Sequence, residues 1–270
     1  MATVTRTTRT TRADAPERPR AEHTGGGLRG AIAAEWVKLW TTRTPYTCLA
    51  VGVGLTAVFA FYYGSIARIN DEPVQAVGEA PISSIMLLQF IVVVLAMTTV
   101  TSEYATGSIR TSLQWVPIRH RVQLAKALVT GAVAFVGGVL LGALGMAVAW
   151  VPFRGHASFE MAEAAGQLVS IGVYLGLVAV MSVGVAFVCR SAVGALASLF
   201  FLLAGLPFVL LGPGSEVLRK INDALPQSAG NHFMAGDSDP YPSLVGLLII
   251  LSWAVASHLI GLAVLRRRDA

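Results

Sequence analysis

Six long apolar runs constrain this chain more than any other feature. A membrane-crossing helix needs about 20 mostly apolar residues, and runs of that length occur at about 46–65, 82–101, 128–150, 168–189, 192–211 and 244–265. Backbone can cross hydrocarbon only if its N–H and C=O groups are satisfied internally, so the runs predict six helices of an all-α polytopic membrane protein. Composition agrees: 13% of the 270 residues are charged, against about 25% in a soluble domain. That is too little charged surface to enclose a soluble core, which excludes a secreted or cytosolic globular enzyme. Only Arg190 and Ser191 separate the fourth and fifth runs. One continuous helix there would be far too long for a single crossing, so a tight turn is expected.

Charge placement orients the bundle. With the N-terminus in the cytoplasm, eight basic residues precede the first run, four lie between the second and third, Arg190 stands alone, and three follow the last run. The other side holds Arg68, Arg154, Arg219 and Lys220. Sixteen against four is the asymmetry of the positive-inside rule, and it puts both termini in the cytoplasm. The net charge of +5 therefore reads as topology and not as a nucleic-acid stripe, so no nucleic-acid partner is expected. Residues 1–27 are rich in Thr, Arg, Ala and Pro and lack apolar periodicity. They read as a disordered basic cytoplasmic tail, without the apolar core of a signal peptide. Cys48 and Cys189 are too few for a disulfide framework and read as packing residues.

Within the runs, Gly138 with Gly142 and Gly172 with Gly176 match the close-packing spacing of membrane helices. Pro207 is expected to kink the fifth span. No Asp, Glu, Lys or Arg falls well inside a run, which counts against ion-coupled transport and proton relays. Gln89 and His258 are isolated polar groups; lining a pathway and bonding to a neighbouring helix both fit.

Three segments outside the runs are candidates for function. In residues 28–44, Leu28, Ile32, Trp36, Leu39 and Trp40 recur at helical spacing, with Glu35, Lys38 and Arg43 on the polar side. This predicts an amphipathic helix on the cytoplasmic surface, leading through Pro45 into the first span; a plain membrane anchor fits equally. In residues 102–128, Glu103 ends a span, Gly107 permits a break and Ser108 suits a helix cap. Ile109, Leu113, Trp115 and Val116 form an apolar edge beside Arg110; Pro117 stops the helix, and Arg119, Arg121 and Lys126 follow. A docking knob for a cytosolic partner and a loop held down by headgroups are both consistent with this pattern. In the outer loop 212–243, Val217, Leu218, Ile221 and Leu225 share a face. An interfacial segment, one that dips back inward and an ordinary surface loop all remain open. His232, Asp237 and Asp239 lack ligand spacing, so no metal site is expected. The chain has no GxxxxGK[ST], HExxH or GxSxG. No catalytic residue is therefore expected, and P-loop chemistry cannot come from this chain.

These residues resemble a family. E-W-x-K-L-W-T-T-R-T (Glu35 to Thr44) followed by a span looks like the N-terminal signature of bacterial type-2 ABC exporter permeases. S-E-Y-A-T-G-S-I-R-T-S-L (Ser102 to Leu113) resembles the segment after their second span, and Pro117, Arg121 and Lys126 fit the spacing before the third. L-P-Q-S-A-G (Leu225 to Gly230) resembles the stretch before their last span. The resemblance covers residues 28–268, as a six-span permease domain, and leaves the tail outside. It implies that 28–44 is the elbow helix, carrying Glu35, Trp36, Lys38, Trp40 and Arg43. It implies a coupling helix within 103–116 that seats in an ATP-hydrolysing subunit, with Glu103, Gly107, Ile109, Arg110, Leu113, Trp115 and Arg121 involved. Gln89 is the candidate pathway-lining residue. The family further implies a second permease copy or a related chain, a separate ABC ATPase subunit that binds the ATP and Mg, surrounding membrane lipid, and the bacterial cell membrane as location. This chain itself would bind no cofactor. Two other functions compete with this one: a membrane scaffold or immunity protein without transport, and an intramembrane enzyme, for which no acid, base or nucleophile pair is visible at depth.

Overall fold

A computed structural model describes residues 27–115, 118–212, 214–236 and 238–267. The expected tail lies outside these residues apart from Gly27, as do Val116, Pro117, Asp237 and the side chains of Leu113 and Trp115.

Each apolar run lies within a helix. The crossings are α2 (Thr44–Ile69), α3 (Glu79–Thr106), α5 (Arg119–Phe153), α6 (Met161–Cys189), α7 (Ala192–Phe200) continuing into α8 (Leu206–Leu211), and α11 (Ser243–Arg267). Among the described residues these are the six helical stretches long and apolar enough to span a bilayer, the architecture of an all-α multi-pass membrane protein. Four shorter helices accompany them: α1 (Gly27–Thr41), α4 (Ile109–Trp115), α9 (Glu216–Asp223) and α10 (Pro226–Ala235). Strands β1 (Gln75–Ala76) and β2 (Ala157–Ser158) form a short parallel bridge that ties the α2–α3 loop to the α5–α6 loop. The α1 end of the bundle also gathers the start of α5 and the end of α11, where Arg119 donates to the Leu265 carbonyl at 2.8 Å.

The centre is α6. Of its most apolar stretch 72% is buried, against 17% for α11. Hydrocarbon gives little hydrophobic drive between helices, so close contact has to come from small residues and polar bonds. The two glycine pairs supply one seam between α5 and α6. A Cβ on Gly138 would lie 3.1 Å from the Gly172 Cα, and one on Gly172 would lie 2.9 Å from the Phe135 carbonyl oxygen. A second seam joins α6 to α11, where a Cβ on Gly184 would meet the Ser257 carbonyl at 2.5 Å.

The turn after α6 has the expected form. Arg190 adopts a left-handed conformation, and the Ser191 hydroxyl accepts from the Gly194 N–H to open α7. Pro207 acts upstream of itself. Lacking an N–H, it sits in the first turn of α8 behind a π-helical stretch, Phe201–Gly205, in which the Leu206 N–H reaches back to the Phe201 carbonyl.

The loop at 212–243 folds back along the bundle. The turn between α9 and α10 touches Trp253, whose indole N–H donates to the Ala224 carbonyl at 3.0 Å. Trp253 lies ten residues into α11, about 15 Å along its axis. Farther along, α10 rests on Tyr174 in the middle of α6. A Cβ on Gly230 would come within 2.1 Å of that ring, so only glycine allows the contact. The α9–α10 pair is therefore a hairpin folded back along the bundle, with α10 wedged against α6 and α11.

The side on which each loop lies is tested by labelling. In a chain with Cys48 and Cys189 replaced by Ala, Asp71→Cys and Ser238→Cys should react with a membrane-impermeant maleimide on intact cells. Thr106→Cys should react only after permeabilisation. All three positions are exposed, so labelling of position 106 from the same side as 71 would overturn the orientation.

Candidate functional site

Four charged side chains meet where α1, α3 and α5 converge. Lys126 Nζ of α5 donates to Glu35 Oε2 of α1 at 2.7 Å, to Glu103 Oε1 of α3 at 2.8 Å and to the Thr99 carbonyl at 2.8 Å. Lys38 Nζ of α1 donates to Glu35 Oε1 at 2.8 Å, to Glu103 Oε1 at 2.9 Å and to the Ser112 hydroxyl of α4 at 3.1 Å. An ammonium has three protons to donate, and both lysines use all three. The result is a closed ring of two carboxylates and two ammoniums with no net charge.

Burial within the ring is uneven. The Lys126 side chain is 1% exposed and the two glutamates 8% and 10%, whereas Lys38 is 46% exposed. Lys126 is thus the enclosed member and Lys38 faces outward. Partial burial lowers the pKa of Lys38, but the hydrogen bonds and charges of Glu35 and Glu103 outweigh it and hold the group above the ordinary lysine value. Its share of the ring is therefore fully present below that ordinary value and is lost only as pH rises through the raised one. Glu103 Oε2 is buried without a protein partner.

Beside the ring lies a cleft of about 440 Å³, bounded by α1, α3 and α4. Its wall is rich in hydroxyls, and several of these donate to their own helix backbone: Thr41 to Lys38, Thr42 to Leu39, Thr98 to Val94 and Ser102 to Thr98. Their remaining lone pairs make the cleft acceptor-rich.

The loop after α3 breaks where glycine was expected to allow it. Gly107 is left-handed at φ 72° and caps α3, and α4 follows at once. The Ser108 hydroxyl pairs with that of Thr106 at 2.9 Å. Ile109, expected on a docking edge, is 2% exposed and belongs to the main core. The first apolar residue after the break anchors α4 to the bundle, so it is not available to a partner. Arg110, Thr111 and Gln114 are exposed. Arg121 lies in the first turn of α5 with its guanidinium beside Gly27 at the start of α1.

In α1, Trp36 and Trp40 stack edge-on at 5.6 Å, and Trp40 meets Tyr46 at 5.8 Å. Arg43 is exposed at the head of α2. Glu35 departs from the amphipathic reading: it was placed on the polar side and is buried together with Ala31 and Leu39. Lys126 compensates, since α5 begins nine residues before the apolar run and carries this lysine into the packed bundle.

Gln89 bonds to a neighbouring helix, one of the two readings open to it. It is 0% exposed, and its Oε1 accepts from the Tyr174 hydroxyl at 2.6 Å. The same hydroxyl lies 3.2 Å from Gln227 Oε1 of α10. Gln89 therefore joins α3 to α6. The His258 carbonyl accepts from the Gln123 amide at 2.7 Å, another helix–helix bond. His232 stacks edge-on against Tyr241, and among the described residues no three His, Cys, Asp or Glu side chains gather as metal ligands would.

No protein-family model matches the chain, and no curated protein matches it.

The ring predicts unequal mutants. Lys126→Met leaves two buried carboxylates facing one outward lysine and should cost about 3–5 kcal/mol. Lys38→Met also leaves two carboxylates with one ammonium, but at a half-exposed position where water can take the vacated place, so it should cost less. Adding Glu35→Gln and Glu103→Gln to Lys126→Met should restore most of the loss. Thermal unfolding of the purified chains in detergent reads all three; equal stability of the two single variants would contradict the ring.

Proposed function

We propose that this chain is the membrane-spanning subunit of an ATP-driven exporter, working as a dimer above a separate ATPase. The observation that carries this reading is the setting of α4. Its base is fixed by Ile109 in the core, and its Ser112 is bonded to the outward lysine of the ring. Its other face presents Arg110 and Gln114 to solvent. A short helix held rigidly on one side and polar on the other suits a coupling helix seated in a partner's groove. In this reading α1 is the elbow helix, and the α1 end of the bundle faces the cytoplasm, as the sixteen-to-four charge split favours.

Force on α4 would pass through Ser112 to Lys38 and from there to α1, α3 and α5 together. ATP binding would draw the two ATPase subunits together and push both α4 helices. The permease halves would then tilt, and the pathway between them would change the side to which it opens. The chain supplies no nucleotide chemistry, because it has no P-loop.

Purification of the tagged chain from its native membrane in mild detergent is expected to bring down a P-loop ATPase in stoichiometric amount. The chain alone should hydrolyse no ATP above an empty-membrane control. Gln114→Glu should weaken ATPase association at least tenfold, about 1.4 kcal/mol, without lowering the unfolding temperature of the chain. Recovery of the chain without any ATPase, or ATP turnover by the chain itself, would overturn the proposal.

A further inference from the structure

An apolar crevice of about 280 Å³ opens between α1, α2, α3 and α5, with Leu175 of α6 at its floor. Its walls include Leu49, Leu88, Val92, Gly137, Leu141 and Leu175, and no charged, hydroxyl or amide side chain lines it. Such a wall gains nothing from water, and left empty it forfeits the dispersion contacts of its lining. The crevice therefore calls for hydrocarbon.

Its rim calls for something else. Trp36 and Trp40 line the crevice at the α1 end, the kind of side chain that settles at headgroup depth. The Trp40 indole N–H is buried and has no acceptor in the protein, and a buried donor left unpaired is costly. Pro45 also lines the crevice, in the first turn of α2. Two residues earlier stands Arg43, exposed, at the positive end of a 26-residue helix whose first turn no side chain caps. The nearby ring adds no net charge, so Arg43 and this helix end set the sign of the rim. Apolar walls, then an unpaired donor, then a positive charge match an acyl chain, its ester carbonyl and a phosphate. We propose that this crevice binds one acyl chain of an anionic glycerophospholipid, with its headgroup at Arg43. Lipid occupancy and ATPase association hold or fail independently, since no crevice residue belongs to α4.

Gly137 provides a plug. A Cβ there has no neighbour within 4 Å, so Gly137→Phe can project into the crevice without striking the bundle. Ala132→Leu, at an exposed position of the same wall, is a milder second plug. The delipidated chain is titrated with dioleoyl phosphatidylglycerol or dioleoyl phosphatidylcholine, and bound lipids are counted by native mass spectrometry. The wild-type chain is expected to saturate with one phosphatidylglycerol more tightly than with phosphatidylcholine. Each plug should weaken that binding, Gly137→Phe by at least tenfold, at an unchanged unfolding temperature. Arg43→Gln should keep one bound lipid but lose the headgroup preference. Undiminished binding in both plugged variants would reduce the lipid to general annular contact and overturn the site. So would the absence of a single saturable lipid on the wild type, the result expected if a second copy closes over the crevice.

Discussion

The buried ammonium of Lys126 is the constraint on which the arrangement of this end of the molecule depends. An ionised amine out of contact with water costs several kcal/mol unless every proton finds an acceptor. Its three acceptors come from two other segments: Glu35 from α1, and Glu103 and the Thr99 carbonyl from α3. Moving any one of the three helices away from the others would strand a charge. A leucine at position 126 would strand both carboxylates and leave α1 held to α5 by apolar packing such as Leu39 on Val129. The ionic ring thus fixes register among the helices, a role that apolar packing alone performs poorly in a membrane.

Lys38 extends this constraint to the surface. It shares both carboxylates with Lys126 but remains half-exposed, and its third proton goes to Ser112 of α4. The surface helix is therefore wired into the buried ring by a hydrogen bond and into the core by Ile109. Two independent attachments on a helix of seven residues leave it little freedom to rotate against the bundle.

Much of the fold was legible because its causes are local. Run length revealed six crossings, the two residues at 190–191 forced a turn, and Gly107 marked the break before α4. Of the paired glycines at 138/142 and 172/176, Gly138 and Gly172 face each other, and the other two line the same α5–α6 seam. The charged ring was less legible. In residues 28–44 the apolar positions define one face, and Glu35 sits beside that face, where periodicity alone reads it as solvated. Its burial follows from Lys126, which lies 91 residues away and ahead of the apolar run, so no local window holds both partners. The contacts of Gln89 and Ile109 were hidden for a related reason. Their environments are set by Tyr174 on another helix and by the core that closes over α4, and neither is encoded near the residue itself.

Two polar contacts on α3 differ in strength in a way that bears on movement. Glu103 belongs to the ring, while Gln89, fourteen residues earlier on the same helix, about 21 Å away, holds the Tyr174 hydroxyl that also approaches Gln227 of α10. A neutral hydrogen bond between membrane helices is worth about 1 kcal/mol, far less than the cost of breaking a buried ion pair. A hydroxyl has only one proton, so Tyr174 donates to Gln89 at 2.6 Å and can give Gln227 little at 3.2 Å. When α3 is displaced as a rod, the ring therefore holds and the contact at Tyr174 yields first. The freed hydroxyl can then turn to Gln227 Oε1, so α10, which also meets α11 where Gly246 lies against Ala229 and Phe233, keeps its place. A displacement of α3 at the α1 end would therefore appear about 21 Å away as a change of partner for the Tyr174 hydroxyl, with the ring intact.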